Sequence, residues 1–166
     1  DDYYIGMNVC DLWQNGYHWG WDNISPYDEN KPYLGWYDGS LPEVADWEIK
    51  WMSEHGLDCE FYCWYARFAN APNTKTMLSA AIHDGHFKAK YGDYMKLALI
   101  WEAGASAHPK TVEQVEKYFI PYFEDYFFTD PRYLQIDGIA IMSLYNTERL
   151  AKDLGSFEAV KQVVEM

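Results

Sequence analysis

The stretch HGLDCEFYCWYARF, residues 55–68, has the pattern of a buried strand but carries an acidic residue, Glu60, in its middle. In an open sheet covered by helices on both faces, such a carboxylate would be a costly buried charge. In a closed barrel one face of each strand points to the axis, where polar side chains can be accommodated. Glu60 therefore favours a closed sheet over an open one.

Strand alternation places Glu60, Tyr62 and Trp64 on one face of this segment. The stretch MKLALIWE, residues 95–102, shows a similar mixture, with Lys96 and Glu102 on one face. If both polar sets face a barrel axis, Glu60 and Lys96 lie on neighbouring strands. We expect them to form an ion pair that gives the buried carboxylate its partner.

The rest of the chain alternates between strand and helix patterns. In chain order we predict a strand at 3–10, a long loop, a helix at 42–56, the strand quoted above, a helix at about 74–90, a strand at 95–102, a helix at 112–128, a strand at 139–145 and a helix at about 156–166. This βαβαβαβα order predicts parallel strands with right-handed crossovers. Two closures fit it: an open doubly wound sheet, or the first four βα units of a (β/α)₈ barrel.

The helix at 42–56 has clear end signals: Pro42 lies in its first turn and Gly56 ends it. Its predicted apolar face comprises Val44, Trp47, Trp51 and Met52.

Composition narrows the functional classes. The 166 residues are 49% hydrophobic, enough for one core, and 19% aromatic, with eight Trp and fifteen Tyr. Aromatic side chains in this abundance are typical of sugar-binding clefts and of large interfaces. The formal net charge of -13, with scattered basic residues, makes nucleic acid and anionic membranes unlikely partners. No apolar run approaches the ~20 residues of a membrane span.

The three cysteines allow little cross-linking. In an extended segment Cys59 and Cys63 would be ~13 Å apart, beyond the ~7 Å limit for a disulfide, so at most Cys10 pairs with one of them. Walker, dinucleotide-binding and HExxH patterns are missing from the sequence, which predicts no cofactor. The motif HDGH, residues 83–86, has metal-compatible spacing, but a surface or capping role is favoured.

Catalytic residues of (β/α)₈ barrels lie at the carboxyl ends of the strands. Those ends are predicted at Cys10-Asp11, Trp64-Tyr65, Trp101-Glu102 and Tyr145-Asn146. The rim is therefore aromatic and acidic.

Several motifs together resemble the glycoside hydrolase family 99-like group, which includes WbsX-type domains and endo-α-mannosidases. They are GYHWGWDNI, KPYLGWYDGSLPEVADWEIKWMSEHGLD, MKLALIWE and FEDYFFTDPRYLQIDGIAIMSLY. The sequence differs from many relatives at Ala103, where they carry Asn, and at Gly138-Ile139-Ala140, where they carry GKP.

The resemblance implies a (β/α)₈ barrel that acts on the glycosidic bonds of polysaccharide or mannose-type glycans. It implies a catalytic pair of carboxylates beyond Met166, in a second half of the barrel supplied by a longer chain or another copy. It also implies a secreted, periplasmic or cell-surface location in a bacterium. The alternative is a glycan-binding or structural assembly component without catalysis.

The candidate substrate-binding residues are Asp11, Trp13, Trp19, Trp64, Tyr65, Trp101, Glu102 and Tyr145. For Trp64 and Tyr65 the functional interpretation is a platform on which a sugar ring stacks, and the alternative is packing at the rim. Glu102 could equally form a salt bridge to a loop, and Tyr145 could fill the top layer of the barrel. Six residues resemble the family's substrate loop but could belong to a self-packed loop: Asp11, Trp13, His18, Trp19, Trp21 and Asp22.

Overall fold

The computed structural model describes residues 3–14, 20–74, 76–103 and 108–166. The chain divides into two compact units, the first comprising 1–62 and 77–96 and the second 63–76 and 97–166. The strands are β1 (Gly6–Val9), β2 (Cys59–Trp64), β3 (Lys96–Glu102), β4 (Gln135–Ile136), β5 (Ile139–Ala140) and β6 (Met142–Tyr145). The helices are α1 (Gly20–Ile24), α2 (Pro42–Glu54), a long helix at 112–128, and two short helices, Thr147–Leu154 and Phe157–Val164.

Four strands form one parallel sheet in the order β1-β2-β3-β6. β1 pairs with β2, with Met7 opposite Glu60, and β3 pairs with β6, with Glu102 opposite Tyr145. The predicted parallel α/β architecture is confirmed. These four strands form an open sheet and do not close into a barrel.

Helix α2 has the predicted bounds. Pro42 occupies the start, and Gly56 follows the helix with φ +77°, a left-handed conformation that glycine adopts without strain. Ile49 and Met52 pack with Met95 in the core of the first unit. Trp47 is 44% exposed, so its predicted place on the buried face is wrong.

The regular helix predicted at 74–90 is not formed. The crossover from β2 to β3 instead contains short turns, Met77–Ser79, Ala81–Gly85, His86–Lys88 and Gly92–Tyr94, of 3₁₀ or π type. A Cβ atom at Gly85 would lie 2.7 Å from the Gly39 carbonyl oxygen, so only glycine permits this close approach. Glycine inside a helix costs about 1 kcal/mol relative to alanine, which weakens regular winding here.

The long helix at 112–128 supplies the core of the second unit. It begins at Thr111, whose hydroxyl accepts a hydrogen bond from the Gln114 amide. Its winding alternates between α and π turns on either side of Pro121. The buried rings of Phe119, Phe123 and Phe127 recur every four residues and form one face.

Two elements of the second unit were not predicted. The hairpin of β4 and β5 turns at Asp137-Gly138, with positive φ at both residues, so the strand predicted at 139–145 is divided. The helix Thr147–Leu154 is capped by the Asn146 side chain and followed by Gly155 at φ +95°. Both carried sequence signals, an Asp-Gly turn and a helix-stopping glycine.

Candidate functional site

The loop after β1 is held in shape by hydrogen bonds between its two ends. The Gly39 amide donates to the Trp13 carbonyl oxygen at 2.8 Å. The Asp38 carboxylate accepts from the Gln14 side chain at 3.1 Å and from the Ser40 amide and hydroxyl at 2.9 and 2.6 Å. The backbone around Trp13 is therefore fixed at the carboxyl end of β1.

Four aromatic side chains of this loop, Trp13, Trp21, Trp36 and Tyr37, form a cluster that we call the loop aromatic cluster. Trp21 is at its centre, 4% exposed, and its indole N–H donates to the Tyr37 carbonyl oxygen at 2.5 Å. Trp13 stacks on Trp21 with ring centroids 4.3 Å apart, and Trp36 meets it edge-on at 5.1 Å. Because Trp13 and Trp36 are only partly buried, each keeps ring surface that a ligand can contact.

Asp11 lies beside this cluster, two residues after β1. The Trp13 amide donates to its Oδ1 at 3.4 Å. A Cβ atom at Gly39 would lie 2.0 Å from Asp11 Oδ2, so glycine at 39 makes room for the carboxylate. Burial, with smaller contributions from the charges of Asp38 and Glu60, raises the pKa of Asp11 to about 6. Asp11 can therefore both accept and donate a proton near neutral pH.

Four more groups interact with Asp11 or with one another, and we call the five together the strand-end acid cluster. The four are Glu48 of α2, Glu60 and Tyr62 of β2, and His86 of the crossover. Burial, followed by the charges of Asp11 and Glu60, raises the pKa of Glu48 to about 8. Glu48 is therefore mostly protonated at neutral pH. The proton that Glu48 keeps removes the repulsion that three ionised acids would otherwise have in one small region.

Glu60 is completely buried, and its Oε2 lies 2.7 Å from His86 Nδ1. Burial, followed by the Glu60 charge, raises the pKa of Tyr62 far above its usual range. Lys96 is exposed whereas Glu60 is buried against His86, so the structure gives Glu60 a different partner from the predicted Lys96. The face of β2 that carries Glu60 is directed at His86 in the crossover. His86 is completely buried, so the surface role predicted for the HDGH motif is wrong for this residue.

Neither Glu60 nor His86 has exposed surface, so neither can touch a substrate in this conformation. They act on the site only indirectly, through the Glu60 charge that contributes to the raised pKa of Asp11. The rings of Trp13 and Trp36 are partly exposed, and Asp11 beside Trp13 is half-buried, with its Oδ2 fully buried and without a hydrogen-bond partner. This combination suits a ligand with apolar ring faces and hydroxyl groups.

Two predicted site residues belong to the core of the second unit. Trp64 is 1% exposed, and the rings of Phe119, Tyr122, Phe123 and Phe127 surround it at centroid distances of 5.1 to 6.4 Å. Trp101 is 2% exposed and stacks on Phe119 at 5.0 Å. Both ring systems are covered, so the structure does not support their predicted contact with a sugar.

The remaining predicted residues lie at the strand ends of the second unit or outside the described residues. Glu102 and Tyr145 are register partners at the ends of β3 and β6, with Tyr145 60% exposed. Tyr65, directly after β2, and Glu102 are partly buried. Their substrate contacts stay predictions. Trp19 and His18 lie outside the described residues, and Asp22 is exposed.

Sequence reasoning missed Glu48 and His86. Glu48 occupies the helical position between the buried residues Ala45 and Met52, at spacings of three and four, so periodicity could have placed it toward the core. His86 could have been proposed as the partner that a buried Glu60 requires.

Within the described ranges, no group of three or more His, Cys, Asp or Glu side chains is arranged to hold a metal ion. Among the same residues, no helix is long and apolar enough to cross a bilayer.

Comparison with solved structures shows a likeness to the GH99 endo-α-mannosidase of Bacteroides thetaiotaomicron, solved in complex with bis-tris-propane. The TM-score is 0.58 at 14% sequence identity. The chain shares the fold of a glycosidase. The matched region covers 87% of this chain and 42% of the mannosidase chain, so the chain spans less than half the length of that enzyme. No protein-family model and no curated protein matches the sequence.

Proposed function

We propose that this chain is part of a glycoside hydrolase that acts on polysaccharide or mannose-type glycans, and that it contributes one wall of the substrate site. The observation that carries the proposal is Asp11 beside the partly exposed ring of Trp13, at the carboxyl end of β1. In barrel enzymes this end of the strands carries the active site. The fold shared with an endo-α-mannosidase supports the same conclusion.

In this proposal the ring of Trp13 packs against the C–H face of a sugar, and Asp11 hydrogen-bonds a sugar hydroxyl. Glycoside hydrolysis uses two carboxylates, one protonating the leaving oxygen and one acting at the sugar carbon or on water. We propose that this pair, and the strands that complete the barrel, lie outside this chain. Asp11 and Trp13 then serve in binding, and the substrate contacts of Tyr65, Glu102 and Tyr145, in the second unit, are a separate prediction.

The test uses the complete native protein and α-mannan oligosaccharides, with chromatography of the released products. Asp11→Asn should lower kcat/KM by roughly 10- to 100-fold, the range expected when a hydrogen bond to a charged group is lost. Trp13→Ala should raise KM. The exposed carboxylate variant Asp28→Asn is the matched control and should behave as wild type. Unchanged kcat/KM in Asp11→Asn would contradict the assigned contact.

The same assay separates hydrolysis from the second candidate, glycan binding without catalysis. Retention of the oligosaccharide by the complete protein, with no shortened product after prolonged incubation, would favour the binding protein. Release of shortened oligosaccharides would exclude it.

A further inference from the structure

The first unit contains a second concave feature, away from the strand-end acid cluster. It is an open groove of about 610 Å³ between α2 and the turn Gly92–Tyr94. Its lining includes Glu54 at the end of α2, just before β2 begins. The groove therefore runs along α2 from Glu43 in its first turn to Glu54 at its end, and its lining includes no residue of the strand-end acid cluster. We call it the outer groove.

Three aromatic side chains line the outer groove and keep large exposed areas. Trp47 is 44% exposed, Tyr91 is 45% exposed and Tyr94 is 74% exposed. The centroids of the two tyrosine rings lie 6.2 Å apart. Exposed aromatic rings grouped around one concavity are unusual on a surface without a ligand-binding role. They present flat apolar faces with polar edges.

Three of the four charged residues that line the groove, Asp46, Lys50 and Glu54, are partnered within the protein, and the fourth, Glu43, is an exposed carboxylate. Lys50 Nζ lies 2.5 Å from Glu54 Oε1, and Asp46 Oδ1 accepts from the Tyr91 amide at 2.8 Å. Lys90 Nζ lies 4.9 Å from the centroid of the Tyr91 ring. A neutral ligand with hydroxyl groups would leave these contacts in place and could donate a hydrogen bond to the Glu43 carboxylate.

The occupant that fits is neutral, has apolar ring faces, and carries hydroxyl groups that can donate to carboxylate oxygens. A chain of neutral hexose units has all three properties. We propose that the outer groove is an auxiliary glycan-binding site for a neutral polysaccharide, separate from the site at Asp11. The choice of a glycan as ligand rests on the proposed function.

The test is gel electrophoresis of the complete protein through gels containing soluble α-mannan or, separately, mixed-linkage β-glucan. Retardation of the wild type at graded polysaccharide concentrations gives an apparent Kd. Trp47→Ala and Tyr94→Ala should each raise that Kd at least about fivefold. Phe157→Ala removes an exposed aromatic ring of the second unit and is the matched control that should leave it unchanged. Circular dichroism confirms that each variant is folded.

Two further readouts keep this proposal distinct from the proposed function. Trp13→Ala tests the strand-end site in the same gels, and hydrolysis of a short oligosaccharide by Trp47→Ala should proceed at the wild-type rate. Retardation that is lost in Trp13→Ala but kept in Trp47→Ala and Tyr94→Ala would overturn the outer groove and leave the proposed function standing. A wild-type protein that neither polysaccharide retards would also overturn the outer groove, while the hydrolysis assay would still decide the function.

Discussion

At the scale of single residues, Glu48 shows how burial changes the chemistry of this region. The pKa of Glu48 is raised to about 8, mainly by burial, so the folded protein holds this proton more tightly than the unfolded chain does. Stability should therefore fall as pH rises from about 4.5 through 8, by up to about 1.4 kcal/mol per pH unit. Glu48→Gln replaces the protonated acid with a neutral group of the same shape.

We expect Glu48→Gln to match the wild type at pH 5 and to be more stable by more than about 1 kcal/mol at pH 9. Urea unfolding at pH 5, 7 and 9 measures this difference. Asp28→Asn, at an exposed acid, should show no such divergence. If the free energies of unfolding of Glu48→Gln and wild type differ by the same amount at pH 5, 7 and 9, the raised pKa is contradicted.

The Glu60–His86 pair supports a second prediction at this scale. Because both side chains are completely buried, removing one leaves the other without its partner, at a cost of roughly 3 kcal/mol. A double-mutant cycle of Glu60→Gln and His86→Phe, followed by urea unfolding, should give a coupling energy above about 1 kcal/mol. The matched cycle of Glu60→Gln with Lys96→Ala should give none. Stronger coupling to Lys96 would show that the sequence-based pairing was right.

At the scale of elements, the long helix at 112–128 decides the role of Trp64. The helix covers Trp64 with the rings of Phe119, Phe123 and Phe127, which makes Trp64 a core residue. Trp64→Ala should therefore reduce the free energy of unfolding by about 3–5 kcal/mol. Tyr126→Ala, at a 55% exposed ring on the same helix, should cost less than about 1 kcal/mol. If Trp64→Ala has normal stability but binds glycan poorly, Trp64 is a surface on which a sugar ring stacks, as the sequence predicts, and not a core residue.

Elements with strong local signals were predictable from the sequence, and contacts between distant segments were not. Helix α2 was predicted with its bounds because Pro42 and Gly56 mark its ends. The crossover was misassigned because its shape depends on the approach of Gly85 to Gly39, 46 residues earlier in the sequence. Asp11 and Trp13 are candidates because they follow a predicted strand and resemble the family's substrate loop, and their contact with substrate stays a prediction. The His86 partner of Glu60 required the tertiary structure.

At the scale of the whole molecule, Glu60 does not favour a closed barrel over an open sheet. The sequence predicts that a carboxylate buried on a strand favours a closed barrel, but Glu60 lies against His86 within the first unit, so it does not discriminate between the closures. The fold assignment rests instead on the likeness to the mannosidase. That enzyme is more than twice as long as the region matched here.

The strand order β1-β2-β3-β6 has an end strand on each side, and unpaired strand edges favour pairing with further strands. We therefore predict that the native molecule supplies additional strands to this sheet. If they belong to a longer chain, the protein from its native source should have, under denaturing conditions, a mass of at least twice the 19.5 kDa of this chain. If a second copy supplies them, the denatured mass should be 19.5 kDa and the native mass at least twice that value. If both the denatured mass and the native mass were 19.5 kDa, the prediction would be contradicted, and the glycan site would have to be built from these residues alone.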